Sequence, residues 1–186
     1  MKAAVVRAFG ETPVYEDFAE PEPGPDEVIG TVTASGLHWL VKGLAAGKHY
    51  ASAATLPMIP GVDGVARLPD GRRVYFGGIR GRFGTMAERA PVDRRAVALP
   101  EEGSDAHYAA VMNPGMSSWL ALRQRAGFSP GESVLVLGAT GASGSLALQV
   151  ARRLGAGRII AAGRDRKGLD RLDADARIPL ESSAIA

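Results

Sequence analysis

At 186 residues the chain has room for one or two domains, and 46% hydrophobic against 23% charged residues is the balance of a globular protein. Its 22 Lys and Arg against 20 Asp and Glu leave a formal net charge of +2, too small a bias to argue for nucleic acid, and neither a basic block nor an aromatic stacking motif supports that partner. Cysteine is absent, which excludes disulfides and thiolate chemistry, and Met1-Lys2-Ala3-Ala4-Val5-Val6-Arg7 has the pattern of neither a secretory signal nor a transmembrane span, so no membrane partner and a cytoplasmic location are the default expectations.

Short apolar segments broken by Gly, Pro and Asp fill the first part of the chain, at residues 3–6, 28–32, 61–68, 73–76 and 96–99. That texture predicts a small β-rich domain with many turns over residues 1–112. Pro21, Pro23, Gly24 and Pro25 share one connection, where fixed φ values and missing amide donors predict an exposed loop. From Ser104 onward helices alternate with strands. Pro114-Gly115 predicts the junction to a second domain, residues 113–186, ahead of a helix over 117–125. Asn113 then has two readings, a hydrogen bond to cofactor or substrate or the cap of that helix.

Ser129-Pro130-Gly131 turns into an apolar strand, Val134-Leu135-Val136-Leu137, which runs straight into Gly138-Ala139-Thr140-Gly141-Ala142-Ser143-Gly144. Glycines let the backbone turn sharply and approach a pyrophosphate, and the free amides at the start of a helix point at its negative charge. The expected cofactor-binding residues are therefore Gly138, Thr140, Gly141, Ala142, Ser143 and Gly144. Leu146, Ala147, Val150, Ala151 and Leu154 give the next helix one apolar stripe, Gly155 and Gly157 stop it, and a second apolar run, 159–162, ends at Gly163. Strand, turn, helix and strand fit the roughly 30-residue unit that parallel strands require.

The tip of that second strand decides between dinucleotides, because an acidic side chain there accepts from the ribose 2′-hydroxyl of NAD. The position holds Arg164, with Arg166 and Lys167 close behind, and a cationic cluster suits a 2′-phosphate. NADPH (NADP) is thus the expected cofactor, with Gly163, Arg164 and Lys167 in its site. Asp165 could partly neutralise the cluster, and the alternative is a solvated basic loop.

Four further motifs occur in order: Gly61-Val62-Asp63-Gly64, Asp70-Gly71-Arg72-Arg73-Val74, Gly84-Thr85-Met86-Ala87-Glu88 and Gly115-Met116-Ser117-Ser118-Trp119. Taken together with a glycine turn that lies late in the chain, this order resembles the medium-chain dehydrogenase/reductase superfamily across nearly the whole sequence. Within it the chain is similar to zinc-independent, quinone oxidoreductase-like members. The resemblance implies an α/β fold, a β-rich GroES-like catalytic domain followed by a truncated Rossmann-type βαβαβ half. Strands and helices from Ser133 to Leu180 supply only the first mononucleotide half, which predicts a fragment with an uncovered sheet edge.

Alcohol dehydrogenases of this superfamily hold a catalytic zinc, and their ligand positions correspond here to His38, Val62 and the vicinity of Asn113. One imidazole, a valine and an amide cannot supply three zinc donors, so no metal is expected. What the resemblance implies instead is hydride transfer from NADPH to a quinone or an activated alkene or carbonyl, a small-molecule substrate, and a homodimer for the full-length relative. The alternative is a catalytically silent NADPH-binding fragment. His38 is the first candidate for a polar group at the substrate, donating to a carbonyl oxygen that gains charge, and the competing reading is a hydrogen-bonded core histidine. Tyr50, after Gly47-Lys48-His49, could orient a carbonyl or simply pack. His49 and His107 lack ligand spacing, Asp63 has no evident basic partner, and Trp39 and Trp119 are expected to pack.

Overall fold

The computed structural model describes residues 1–50, 52, 55–78 and 80–181. They form two compact units, Met1–Ala110 and Val111–Ala186.

In the first unit, strands β1 (Lys2–Val5) and β2 (Val14–Asp17) pair antiparallel. A five-stranded antiparallel sheet has the order β6-β3-β4-β5-β7, with β3 at Glu27–Ser35, β4 at Asp63–Arg67, β5 at Arg73–Gly77, β6 at Arg89–Asp93 and β7 at Val97–Ala98. Alternation sends Ala66, Val74 and Phe76 to one face, where they close on Leu68, Ala90 and Val92 as a buried core. The opposite face carries Asp63, Val65 and Tyr75, because β4 and β5 pair Val65 with Tyr75 across the Asp70-Gly71 turn. Between Val32 and Ala34 the register of β3 against β4 shifts, so Thr33 is an extra residue. Such a bulge bends a strand and re-aims the residues beyond it, here Ser35 to His38. Helix α1 (Trp39–Ala45) starts directly after His38.

Helix α2 runs from Asp105 to Leu120 and contains Pro114, so Pro114-Gly115 is not the start of a helix over 117–125. The Ser104 hydroxyl accepts from the His107 amide at 3.2 Å, and the helix therefore begins nine residues before the proline, counting Asp105 to Pro114. Beyond it the hydroxyls of Ser117 and Ser118 fold back and donate to the carbonyls of Pro114 and Gly115, each at 3.0 Å. A π-helical turn, Ala121–Arg125, ends the element. Pro21 is likewise buried within its otherwise exposed loop.

The second unit has a parallel three-stranded sheet of order β10-β9-β8, with β8 at Ser133–Leu137, β9 at Arg158–Gly163 and β10 at Ala176–Pro179. Helices α3 (Ala142–Arg153) and α4 (Arg166–Asp170) make the crossovers. Val134 and Val136 turn toward Leu148, Ala151, Ile159, Ala161 and Leu169. The other sheet face is open: Leu135 is 54% and Leu137 70% exposed. Neither tryptophan packs inside, with Trp39 85% and Trp119 40% exposed; Lys42 instead lays its ammonium over the Trp39 ring at 4.6 Å. Among the described residues no helix is long and apolar enough to cross a membrane.

Candidate active site

Two constellations carry chemistry, one in each unit. In the second, β8 ends at Leu137 and Gly138 takes φ +72, a conformation that favours glycine. The Ala139 amide donates to the Ala162 carbonyl at 3.0 Å and the Gly141 amide to the Gly138 carbonyl at 3.0 Å, so the turn is tied to β9 and folded on itself. Gly141 precedes α3 in an extended conformation with no side chain capping the helix. The first intrahelical amide is that of Ser145, donating to Gly141 at 2.9 Å. Those of Ala142, Ser143 and Gly144 stand in the first turn, where a helix offers donors without internal acceptors. Gly144 fills a different need: a Cβ there would lie 2.7 Å from Ala139 Cα and closer still to the Gly138 carbonyl oxygen, so only glycine lets α3 sit this tightly on the turn. Thr140 and Gly163 meet across the same crevice, where a Cβ on Gly163 would lie 3.4 Å from Thr140 Oγ1.

At the tip of β9 the charges sort themselves. The Asp165 carboxylate is turned into the start of α4 and accepts from the Gly168 amide at 3.0 Å. Arg166 pairs with Glu181 at 3.1 Å. Arg164 and Lys167 are exposed and form no ion pair among the described residues. Two cations are thus left available next to the glycine turn, while Asp165 is engaged with a helix and Glu181 with Arg166. Asn113, inside α2, belongs to this unit and caps no helix start.

In the first unit His38 caps nothing with its side chain, and its imidazole turns to β4. Nε2 lies 3.2 Å from Oδ1 and 3.3 Å from Oδ2 of Asp63, which is 2% exposed. The Tyr75 hydroxyl donates to Oδ2 of the same carboxylate at 2.7 Å. Burial, and then the hydrogen bond to Asp63, push the Tyr75 phenol well above the ordinary tyrosine range, which keeps it a donor. Asp63 is held from behind as well: its carbonyl accepts from the Gly36 amide and from Thr85 Oγ1, both at 2.9 Å, and Thr85 Oγ1 meets Ser35 Oγ at 2.7 Å. Gly36 leaves room for the pair, since a Cβ there would lie 2.5 Å from His38 Nε2 and 2.8 Å from Asp63 Oδ1.

Asp63 therefore does have a basic partner, contrary to expectation, and that partner is His38. The pairing spans 25 residues and is invisible to local reading. One signal was available for Tyr75. A hairpin centred on Asp70-Gly71 fixes the register of β4 and β5 and makes Tyr75 a diagonal neighbour of Asp63 on one sheet face. Tyr50 stands apart from this network, 97% exposed, its ring 4.3 Å from that of His49 between centroids. Among the described residues no group of three or more His, Asp or Glu is placed to hold a metal ion.

A β-rich unit followed by a parallel nucleotide-type unit with a glycine turn after its first strand is the architecture of the medium-chain dehydrogenase/reductases. No family model matches the chain. It is 33% identical to a probable NADPH-dependent quinone reductase of Emericella nidulans, over 91% of this chain and 57% of that protein. It is 30% identical to a 2-methylene-furan-3-one reductase of Solanum lycopersicum, over 87% of this chain and 47% of that one. The quinone oxidoreductase of Thermus thermophilus, solved also with NADPH, superposes with a TM-score of 0.83 at 34% identity, covering 96% of this chain and 60% of its own. At these identities the chain is similar to quinone oxidoreductase-like proteins of the medium-chain dehydrogenase/reductase superfamily, and it spans about half to three-fifths of the length of these relatives.

Proposed function

We propose that the chain belongs to an NADPH-dependent oxidoreductase that reduces a quinone or an activated alkene or carbonyl without a metal. The carrying observation is the Gly138–Gly144 turn, open at its amides, beside two uncompensated cations, Arg164 and Lys167. The residues fit the cofactor: main-chain amides of Ala142, Ser143 and Gly144 suit a pyrophosphate, Thr140 and Gly163 shape the crevice, and Arg164 and Lys167 suit a 2′-phosphate. When bound, NADPH supplies the hydride; the protein's part is to position and to exclude water. His38, Tyr50 and Asn113 are the polar groups we assign to the substrate, and the names of the relatives supply its class. A cytoplasmic setting and a homodimer of the whole protein complete the proposal, along with the boundary between a catalytic domain over 1–112 and a nucleotide domain over 113–186.

The test is a titration of the chain with NADPH and NADH, followed by addition of a small quinone and of an enone. Oxidation of NADPH by either acceptor supports the reductase. Cofactor binding without turnover identifies a silent NADPH-binding fragment, and binding of neither dinucleotide removes the proposal.

A further inference from the structure

The contact between His38 and Asp63 decides which ring nitrogen can meet a ligand. Asp63 is a buried carboxylate, an acceptor with no proton of its own to give when ionised, and its Oδ2 already takes the Tyr75 hydroxyl proton at 2.7 Å. A bare Nε2 facing that group at 3.2 to 3.3 Å would set lone pair against carboxylate inside a poorly solvated site. Nε2 must carry a proton. A neutral imidazole has only one, so Nδ1 is then an acceptor. Nδ1 has no hydrogen-bond partner among the described residues, and the buried side-chain atoms that lack one there are Glu16 Oε1 and Asp63 Oδ1, so Nδ1 reaches solvent.

We propose that Asp63 is the positioning residue of His38: it fixes the neutral ring as the Nε2–H tautomer and presents Nδ1 outward as a hydrogen-bond acceptor. Tyr75 and Gly36 serve the same end, the first by holding the carboxylate in place and the second by leaving space for the ring. The group that such a nitrogen matches is a hydroxyl, as on a hydroquinone or an enol, rather than the carbonyl oxygen that a donating histidine would meet. That identity of the ligand rests on the reductase reading. The tautomer does not.

Nitrogen-15 NMR of the whole chain tests it, recorded well above the ordinary histidine titration so that the rings are neutral, with the His38 signals assigned by their loss in His38→Gln. The wild type is expected to show a proton on Nε2 that is protected from exchange with water, and an Nδ1 shift of the unprotonated kind. In Asp63→Asn the amide oxygen can keep the Tyr75 hydroxyl while its NH₂ turns to the ring, which should move the proton to Nδ1; Tyr75→Phe keeps the carboxylate and should keep the wild-type tautomer. A proton on Nδ1 in the wild type, a freely exchanging mixture of tautomers, or an Asp63→Asn spectrum unchanged from wild type overturns the inference. Should that variant fail to fold, the wild-type spectrum alone decides. A chain that binds no NADPH yet shows the protected Nε2 proton leaves this inference standing and removes the reductase reading.

Discussion

Reversing one charge at the tip of β9 should change which dinucleotide binds. Arg164 is unpaired while Arg166 is tied to Glu181 and Asp165 to the start of α4, so Arg164→Asp removes a cation free to meet a 2′-phosphate and adds an anion in its place. Losing one charge-assisted hydrogen bond at an exposed site costs about 1.5 kcal/mol, the lower end of the range for charged partners. A new carboxylate about 6 Å from a phosphate adds roughly 0.7 kcal/mol of repulsion per phosphate charge in water, before screening by salt. Together the loss is roughly 2 to 3 kcal/mol, or about 30- to 150-fold in Kd for NADPH. NADH should bind as before or more tightly, because an aspartate at this place can accept from a ribose hydroxyl. Fluorescence titrations with both cofactors at one ionic strength measure the two constants. Arg166→Asp is the internal control, since that guanidinium already has Glu181 and should matter less. Equal weakening of both cofactors in Arg164→Asp, or a larger effect from Arg166→Asp, would refute the assignment of the cluster to the phosphate.

Three further outcomes are expected. Gly144→Ala drives a Cβ into the Gly138 carbonyl and to 2.7 Å from Ala139 Cα, so the turn must open; a cost of about 1 to 3 kcal/mol in denaturant unfolding and loss of NADPH protection against heating should appear together. Arg73, 4% exposed, donates to the carbonyls of Pro100 at 2.6 Å and Gly103 at 2.9 Å and pairs with Asp105, so Arg73→Met should lower stability by about 2 to 3 kcal/mol, less than for a fully buried pair because water can reach part of the 100–103 loop. Hydrogen bonding by Thr33, and then by Arg73, holds the Asp105 carboxyl below the usual range; its stabilisation is present above the unfolded carboxylate pKa and lost as pH falls through the folded value, so the gap between wild type and Arg73→Met should narrow in acid. Leu135→Ser with Leu137→Ser should reduce binding of a hydrophobic dye and slow aggregation without loss of stability, because both side chains stand on the open face of the sheet; a drop in unfolding midpoint would show that this face is packed in solution.

The second unit was legible because its signals are local. An apolar alternation, a glycine where φ is positive, a helical stripe and a second apolar run occur within 30-odd residues of one another, and β8, α3 and β9 lie within a residue or two of their expected bounds. Pro114 carries the weight of a helix breaker in a local reading, but the helix is already under way there, its start set by the Ser104 hydroxyl upstream. The missing amide of Pro114 removes a single bond, the one to the carbonyl four residues back at Ala110, and a helix that runs from Asp105 to Leu120 tolerates that loss.

The first unit hid its chemistry for the opposite reason. His38, Asp63, Tyr75 and Thr85 come from four separate segments, and what joins them is strand register together with a one-residue bulge in β3. A slip of one residue between β4 and β5 would send Tyr75 to the other face and leave Asp63 buried without a hydroxyl donor, a cost of roughly 1 to 3 kcal/mol that the sequence avoids by centring the hairpin on Asp70-Gly71. The same register that buries Val74 and Phe76 therefore also aims the carboxylate at the imidazole, and core packing and site geometry cannot be altered separately. Insertions or deletions in this hairpin should accordingly disturb the His38 ring before they disturb any residue of the nucleotide turn.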